Sequence, residues 1–171
     1  KKFYLTTPST FPPWTSTVFN MNYSYNNEGQ VTSVNGPSGT YNYTFDGMAR
    51  LAGMTGSATV SNVTYNAADQ MLTMTHDGVQ ETRQYNTRLQ LTRITVPGQV
   101  DLEYRYSATQ NNGQITSMKN WVNGEEVNYG YDALGRLTSA ATAGTEWGLS
   151  FTYDGFGNKT AQTVPKGSGP A

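Results

Sequence analysis

A short phrase of aromatic, turn-forming and apolar residues recurs along the chain, and this recurrence constrains the fold more than any other feature. Its clearest copy, residues 129–138, reads Tyr-Gly-Tyr-Asp-Ala-Leu-Gly-Arg-Leu-Thr. Seven copies align on the aromatic residue before the turn, at Tyr25, Phe45, Tyr65, Tyr85, Tyr106, Tyr131 and Tyr153. The intervals are 20, 20, 20, 21, 25 and 22 residues. Self-similarity at such a period indicates a repeat architecture.

Each copy predicts a β-hairpin. A second residue, usually aromatic, lies two positions before the aligned aromatic, and this spacing places both side chains on one face of a strand. The residues between and before them are polar, so the opposite face is polar. The residue after the aromatic is Asn, Asp or Ser, whose side chain bonds nearby backbone and favours a turn. An apolar residue then begins the return strand in every copy except the last, which has Lys159.

Turn positions are counted from the residue after the aromatic as position 1. Glycine occupies position 4 in three copies, at Gly29, Gly135 and Gly157. This choice indicates a positive φ angle. Three other copies carry Ala49, Asp69 and Leu89 at position 4. Because these residues disfavour a positive φ, we expect their turns to depart from the common geometry.

Two further features distinguish the copies. The residue before the return strand is Arg136 in the clearest copy and Gln in four others, so a long polar side chain recurs rather than a charge. The fifth copy carries an insertion at residues 108–113. A lengthened hairpin loop is the place where we expect any contact specific to this chain.

The composition excludes several classes of function. The formal net charge of −1 gives no general attraction to nucleic acid or anionic membrane. No cysteine is present, so disulfides and thiolate metal sites are excluded. No apolar run approaches the roughly 18 residues of a membrane-spanning helix. Charged residues are only 13% and tyrosines number 12, a profile typical of strands with one aromatic and one neutral polar face.

The repeats define three parts of the chain. Residues 21–164 are predicted to form the repeat array. Residues 1–20 contain Pro8, Pro12 and Pro13 and are predicted to be irregular, with a half-repeat suggested by Phe3 and Leu5. Residues 165–171 are predicted to be a flexible tail.

No constellation of residues predicts catalysis, a cofactor or a metal. His76 is the only histidine and lies in a predicted turn beside Asp77, without the oriented partner and pocket that a general base needs. Glu125 and Glu126 beside Asn123 are the one candidate for Ca²⁺, and they are too few to converge as a site requires. We therefore expect no catalytic, cofactor-binding or metal-binding residues and no enzymatic activity.

The phrase at residues 129–138 resembles the YD repeat of the RHS proteins, and Tyr153-Asp154-Gly155-Phe156-Gly157-Asn158 is similar to a common variant of it. This family includes bacterial polymorphic toxins, shell components of Tc toxins, and teneurins. The resemblance implies an all-β fold of about seven antiparallel hairpins in a spiralling ribbon, as a β-solenoid, hollow shell or tube. It does not extend to self-cleavage, because the chain lacks the Asp-Pro sequence of the RHS core.

The sequence and the resemblance together predict a non-enzymatic structural protein that forms a shell wall, tube or filament, as in RHS proteins that encapsulate toxins. Terminal strands are templates for further pairing. The expected partners are therefore other copies joined end to end or the rest of a larger RHS shell, with an enclosed toxin or a surface glycan in addition. The alternative is an extracellular adhesion or carbohydrate-recognition module that uses the insertion and aromatics such as Tyr104 and Trp121. Both functions imply a secreted or cell-surface location.

Overall fold

The computed structural model describes residues 2–4 and 18–168, and the side chains of residues 20–168. Within these ranges the regular elements are all β-strands, and none of the described chain forms a helix suited to crossing a membrane. The all-β prediction is confirmed. The strands are β1 (Lys2–Tyr4), β2 (Val18–Asn20), β3 (Asn22–Tyr25), β4 (Val31–Gly36), β5 (Gly39–Phe45), β6 (Leu51–Thr55), β7 (Val60–Tyr65), β8 (Met71–His76), β9 (Val79–Tyr85), β10 (Leu91–Val96), β11 (Val100–Tyr106), β12 (Ile115–Asn120), β13 (Glu126–Tyr131), β14 (Leu137–Thr142), β15 (Trp147–Tyr153) and β16 (Lys159–Gly167).

Residues 1–80 form one of two compact units. In this unit β1 pairs antiparallel with β2, so that Phe3 lies opposite Phe19. Strands β3 to β8 follow one another in the sheet in chain order. They form three antiparallel hairpins, β3–β4, β5–β6 and β7–β8. Leu5 and the prolines of the predicted irregular start lie outside the described residues.

Residues 81–171 form the second unit. Strands β9 to β16 again follow the chain order, with β9 beginning two residues before the unit does. They form four antiparallel hairpins, β9–β10, β11–β12, β13–β14 and β15–β16. β16 continues to Gly167, and it therefore includes the first residues of the segment predicted as a tail.

All seven hairpins share one register beside the turn. The aligned aromatic lies opposite the first residue of the return strand in the pairs Tyr25–Val31, Phe45–Leu51, Tyr65–Met71, Tyr85–Leu91, Tyr106–Ile115, Tyr131–Leu137 and Tyr153–Lys159. A register shift adjoins this pair in each hairpin. Such β-bulges increase local twist and re-aim side chains. The insertion at residues 108–113 lengthens the turn of the fifth hairpin and leaves this register unchanged.

Few of the described side chains are fully buried. In the second unit, Val127 is 2% exposed and lies opposite Thr142, which is 4% exposed, while Ala140 is 6% exposed. Most aligned aromatics are half-buried between neighbouring hairpins. Stability therefore comes from contacts between adjacent hairpins, as in other repeat proteins.

The sheet is not closed. Among the described strands, β3 is hydrogen-bonded only to β4, and β16 only to β15. The side chains of β3 are exposed throughout, as are those of β16 from Lys159 to Pro165. These two strands are therefore the outermost described strands of the sheet.

Candidate assembly surface at the hairpin turns

The residue at turn position 1 closes each turn by bonding to the backbone ahead of it. In the second turn the Asp46 Oδ1 atom accepts hydrogen bonds from the Met48 and Arg50 backbone N–H groups, both at 2.9 Å. In the sixth turn Asp132 Oδ1 accepts from Leu134 and Arg136 N–H, also at 2.9 Å. The turns that begin at Asn66, Asn86 and Asp154 repeat this pair of bonds. The predicted role of the Asn and Asp residues as turn formers is confirmed.

Position 5 completes the turn through its side chain. Arg50 Nε donates to Asp46 Oδ2 at 2.8 Å, and Arg136 Nε donates to Asp132 Oδ2 at 2.6 Å. Where position 1 is asparagine the direction is reversed, as in Asn26, whose Nδ2 donates to Gln30 Oε1 at 2.7 Å. Arginine with aspartate and glutamine with asparagine are thus two matched versions of the same pair.

The prediction that turns without glycine at position 4 depart from the common geometry is wrong. Ala49, Asp69 and Leu89 have φ angles of 64°, 60° and 63°, in the same left-handed region as glycine in the other copies. Each backbone N–H at position 4 donates to the position-1 carbonyl in these turns, as it does in the glycine turns. The bonds from position 1 hold the backbone in the left-handed conformation even where a side chain disfavours it.

The position-5 side chain also reaches the next hairpin along the chain. In the first unit, Gln30 Nε2 donates to the Ala49 carbonyl at 2.8 Å, and Arg50 Nη1 contacts Asp69 Oδ1 at 2.7 Å. In the second unit, Gln114 Nε2 donates to the Gly135 carbonyl at 3.1 Å. Glutamine and arginine are both long enough to reach the turn of the next hairpin, which explains why a long polar side chain recurs at position 5.

Arg136 makes the same connection in two ways. Its Nη1 atom donates to the Asp154 carbonyl at 3.1 Å, and its guanidinium lies 4.8 Å from the centre of the Tyr153 ring. Arg50 lies 4.4 Å from the Tyr65 ring in the first unit. Cation–π contacts of this length stabilise by about 0.5–1 kcal/mol at exposed sites.

The aligned tyrosines provide a second connection, in the opposite direction along the chain. In four copies the hydroxyl donates to the carbonyl of the residue that begins the return strand of the preceding hairpin. Four such bonds of 2.7–2.9 Å are Tyr65 to Leu51, Tyr106 to Leu91, Tyr131 to Ile115 and Tyr153 to Leu137. The second copy has Phe45 at this position and lacks the hydroxyl. Sequence reasoning assigned these residues to an aromatic face and missed the polar role of their hydroxyl groups.

Local contacts shift the pKa values of these groups. The pKa of Asp46 is lowered, first by the side-chain hydrogen bond from Arg50, and that of Asp132 is lowered, first by the backbone N–H of Arg136. The pKa of Asp154 is lowered by the Asn158 side chain and backbone. Burial raises the pKa of Tyr106 and Tyr131. The carboxylates are therefore charged, and the tyrosine hydroxyls remain donors, at neutral pH.

The insertion in the fifth hairpin supplies the hydrogen-bond partner for the side chains of the fourth turn. Asn111 Oδ1 accepts from Gln90 Nε2 at 2.9 Å, and the Asn111 carbonyl accepts from Arg88 Nη1 at 2.8 Å. Beside the insertion lies an open groove of about 690 Å³. Its lining includes Arg93 and Glu103.

The charged and aromatic residues near this groove are already paired. Arg93 makes two 2.8 Å bonds to Asp101, and Trp121 Nε1 donates to Glu103 Oε2 at 2.8 Å. Tyr104, next to Glu103 in the strand, is itself among the residues that line the groove. Of the two aromatics proposed from sequence for recognition, Tyr104 therefore lines the groove and Trp121 contacts it through Glu103.

The remaining candidates from sequence have structural partners. Asp77 Oδ1 accepts from the Thr59 backbone N–H at 2.6 Å, and His76 Nε2 lies 3.6 Å from Asp77 Oδ2 on the exposed surface. Glu125 accepts from Trp147 Nε1 at 2.8 Å, while Glu126 pairs with Arg105 at 2.7 Å. Across the described residues, no group of three or more His, Asp or Glu side chains is arranged to hold a metal ion.

Comparison with known proteins identifies the repeat. Residues 131–168 match the family model described as RHS Repeat. This match covers the sixth turn, the seventh hairpin and the strand between them. No curated protein sequence matches the chain.

Solved structures share the fold over most of the chain. TcdB2-TccC3 without its hypervariable C-terminal region superposes with a TM-score of 0.72 at 22% identity, over 87% of this chain and 9% of that one. TcdB2-TccC3 gives 0.71 at 21% identity, over 87% and 10%. The Photorhabdus luminescens Tc holotoxin pore gives 0.71 at 21% identity, over 86% and 9%. The chain thus spans about a tenth of the length of the chains it matches. Residues 131–168 carry an RHS repeat, and the resemblance of this chain to the RHS and YD-repeat family is confirmed.

Proposed function

We propose that the chain is a non-enzymatic structural array whose hairpins form the wall of a β-sheet shell, tube or filament. The observation that supports this most directly is the set of bonds between neighbouring hairpins. Gln114 and Arg136 each reach forward to the next turn, and Tyr131 and Tyr153 each reach back to the preceding strand. The tyrosine bonds to backbone carbonyls recur at each step from the fourth hairpin to the seventh, so the fifth, sixth and seventh hairpins are each joined to the preceding one in the same way.

The way the turn residues are used supports a role without catalysis. The carboxylates of Asp46, Asp132 and Asp154 accept hydrogen bonds from the backbone of their own turns, so they serve to fix the chain. His76 lies on the exposed surface. These groups lack the oriented, water-excluded setting in which general acid–base catalysis operates.

The similarity to Tc toxin proteins supports the location and cargo that we assign to this wall. The shared fold covers most of the chain in structures whose titles name a Tc holotoxin pore and TcdB2-TccC3. We propose that the array works outside the cell, secreted or at its surface, as part of a larger RHS shell. A toxin domain is the cargo that such a shell would enclose.

Electron microscopy of the protein at its full encoded length tests the wall. We expect a hollow particle or tube whose wall is one sheet thick and contains residues 21–164. Limited proteolysis gives an independent measure, because strands within a wall are cut more slowly than its turns. A solid globular particle, with the array folded as a separate surface domain, would refute the proposal.

A second function, recognition of carbohydrate, is favoured by the groove beside the insertion. The groove has a volume of about 690 Å³, and Trp121, 48% exposed, is hydrogen-bonded to Glu103 in its lining. Indole faces suit the apolar faces of sugars. A glycan array with the wild type, Trp121→Ala and Tyr104→Ala tests this function, with Phe156→Ala, an exposed aromatic of the seventh turn outside the groove lining, as the control. Binding that Trp121→Ala or Tyr104→Ala abolishes and Phe156→Ala preserves would support recognition, and an array without signal would exclude the glycans it displays.

A further inference from the structure

The groove beside the insertion concentrates arginine side chains within the second unit. Three of the six arginines of the chain, Arg88, Arg93 and Arg105, line it, whereas Glu103 is the one acid in its lining. The other lining residues are neutral, and all of them except Ala108 carry an amide or hydroxyl group. Such groups bond readily to sugar hydroxyls, and the arginines favour a negatively charged ligand.

Two of these arginines are held by carboxylates of the sheet. Arg93 donates from Nε and Nη2 to the two oxygens of Asp101, both at 2.8 Å. Arg105 donates to Glu103 at 2.8 Å and to Glu126 at 2.7 Å. The charges of Arg93 and Arg105 are therefore offset by acids that the protein itself supplies.

Arg88 is bonded to a neutral group instead. Its Nη1 atom donates to the Asn111 carbonyl at 2.8 Å. A guanidinium has five N–H donors, and its planar edges match the two oxygens of a carboxylate. Because the bond to Asn111 uses Nη1, the edge formed by Nε and Nη2 is left for a ligand. Among the described residues, no carboxylate pairs with Arg88.

The insertion holds the acceptor of Arg88 in place. Asn111 Oδ1 accepts from Gln90 Nε2 at 2.9 Å, and Asn111 Nδ2 donates to Gln90 Oε1 at 2.7 Å. The inserted loop is thus fastened to the fourth turn by a pair of amide bonds. Arg88 is therefore oriented before a ligand arrives, which lowers the entropy that binding costs.

Arg88 also departs from the pattern of the repeat. It occupies turn position 3, and this position projects into solvent, since Leu134 and Phe156 are 77% and 95% exposed there. The other five regular turns have a neutral or acidic residue at position 3, namely Glu28, Met48, Ala68, Leu134 and Phe156. Among these turns, a cation at position 3 therefore occurs only in the one that the groove adjoins.

We propose that the groove binds a carboxylated saccharide, whose carboxylate lies on the Nε–Nη2 edge of Arg88. The inference rests on the recognition function proposed for this groove, and it names the class of ligand. The two oxygens of the carboxylate accept parallel, charge-assisted hydrogen bonds from the guanidinium. The sugar hydroxyls bond to the amide and hydroxyl groups of the lining, and the ring lies against Tyr104.

A glycan array tests the ligand class when each acidic glycan is printed both as the free acid and as its methyl ester. The ester keeps the sugar and removes the charge. We expect the wild type to bind sialylated or uronate-containing glycans as free acids, and to bind their esters about tenfold more weakly, as follows from losing charge-assisted hydrogen bonds. Added salt should weaken binding of the free acids more than binding of the esters.

Arg88→Gln separates recognition from a purely structural role. It should weaken binding of the free acid about tenfold and leave binding of the ester unchanged. If Arg88 served only to fasten the insertion, the substitution would weaken both forms alike. Lys159→Gln is the matched control, because it removes the same charge from an exposed residue of the second unit outside the groove lining.

Each outcome bears on a definite claim. Equal binding of free acids and esters, or a preference for sulfated glycans over both, overturns the carboxylated ligand and leaves recognition of sugars standing. A preference for free acids that Arg88→Gln preserves overturns the role of Arg88. An array without signal overturns both the ligand class and the recognition function.

Discussion

The seventh turn allows the cost of its left-handed backbone to be measured with two matched substitutions. Gly157 has a φ of 91°, whereas Gly155, two residues earlier in the same turn, does not have a positive φ. A Cβ atom at either position would meet no other atom within 4 Å. Gly157→Ala and Gly155→Ala therefore add the same methyl group without steric conflict and differ in the backbone conformation that it must adopt.

The expected magnitudes follow from two effects. Replacing glycine by alanine reduces the entropy of the unfolded chain and stabilises by about 0.4–1 kcal/mol where the native φ suits alanine. This effect applies to both variants, so Gly155→Ala should raise the free energy of unfolding by that amount. At Gly157 the left-handed conformation costs an additional 1–2 kcal/mol, roughly. The two variants should therefore differ by about 1–2 kcal/mol, with Gly157→Ala the less stable.

Urea denaturation followed by circular dichroism measures this difference, provided that the slope of free energy against urea is the same for both variants. The second turn supplies the reciprocal pair. Ala49→Gly should stabilise because Ala49 has a φ of 64°, and Gly47→Ala should behave like Gly155→Ala. Equal stability of Gly155→Ala and Gly157→Ala would refute the reasoning. It would mean that the turn relaxes out of the left-handed conformation when glycine is removed.

Two further predictions concern the bonds between hairpins and the charge of the turns. Tyr131→Phe should lower the free energy of unfolding by about 0.5–1.5 kcal/mol, because the hydrogen bond of its hydroxyl is lost. Phe45→Tyr should raise the free energy of unfolding by supplying the hydroxyl that the second hairpin lacks. Urea denaturation measures both changes, and no change in either variant would contradict the role of the hydroxyls. The pKa values of Asp46, Asp132 and Asp154 are lowered in the folded state, so their contribution is present above about pH 4 and is lost as the pH falls through the lowered pKa values. The triple Asp→Asn variant, which keeps the backbone bonds of the turns, should flatten the acid limb of a stability–pH profile, and a profile that keeps its slope would assign acid unfolding to other groups.

Much of this fold could be predicted because it is local. The Asp132 turn, the hairpin on either side of it and the alternation of aromatic and polar faces are determined by residues within about ten positions of one another. The strong copies also identify the register of the weaker ones, and even the hairpin with Arg83 in place of an aromatic has the common register.

The contacts between hairpins could not be predicted in the same way. A tyrosine in a strand is equally compatible with packing alone, and only the relative shift of two hairpins shows that the Tyr153 hydroxyl meets the Leu137 carbonyl. The left-handed Leu89 was missed for a related reason. The conformational preference of leucine alone disfavours a left-handed backbone. The two hydrogen bonds accepted by the Asn86 side chain determine the backbone of the whole turn, including Leu89.

The bonds that each hairpin makes only with its neighbours have a consequence for how such a chain can change in evolution. Gln30 and Gln114 donate to backbone carbonyls, which every residue type supplies. Recombination between DNA encoding two copies of the phrase would delete or duplicate about twenty residues. The new junction would again bring a position-5 side chain to a position-4 carbonyl, with no shared core to repack. The length of the array can therefore change in whole hairpins, while the residues within each hairpin stay as they are.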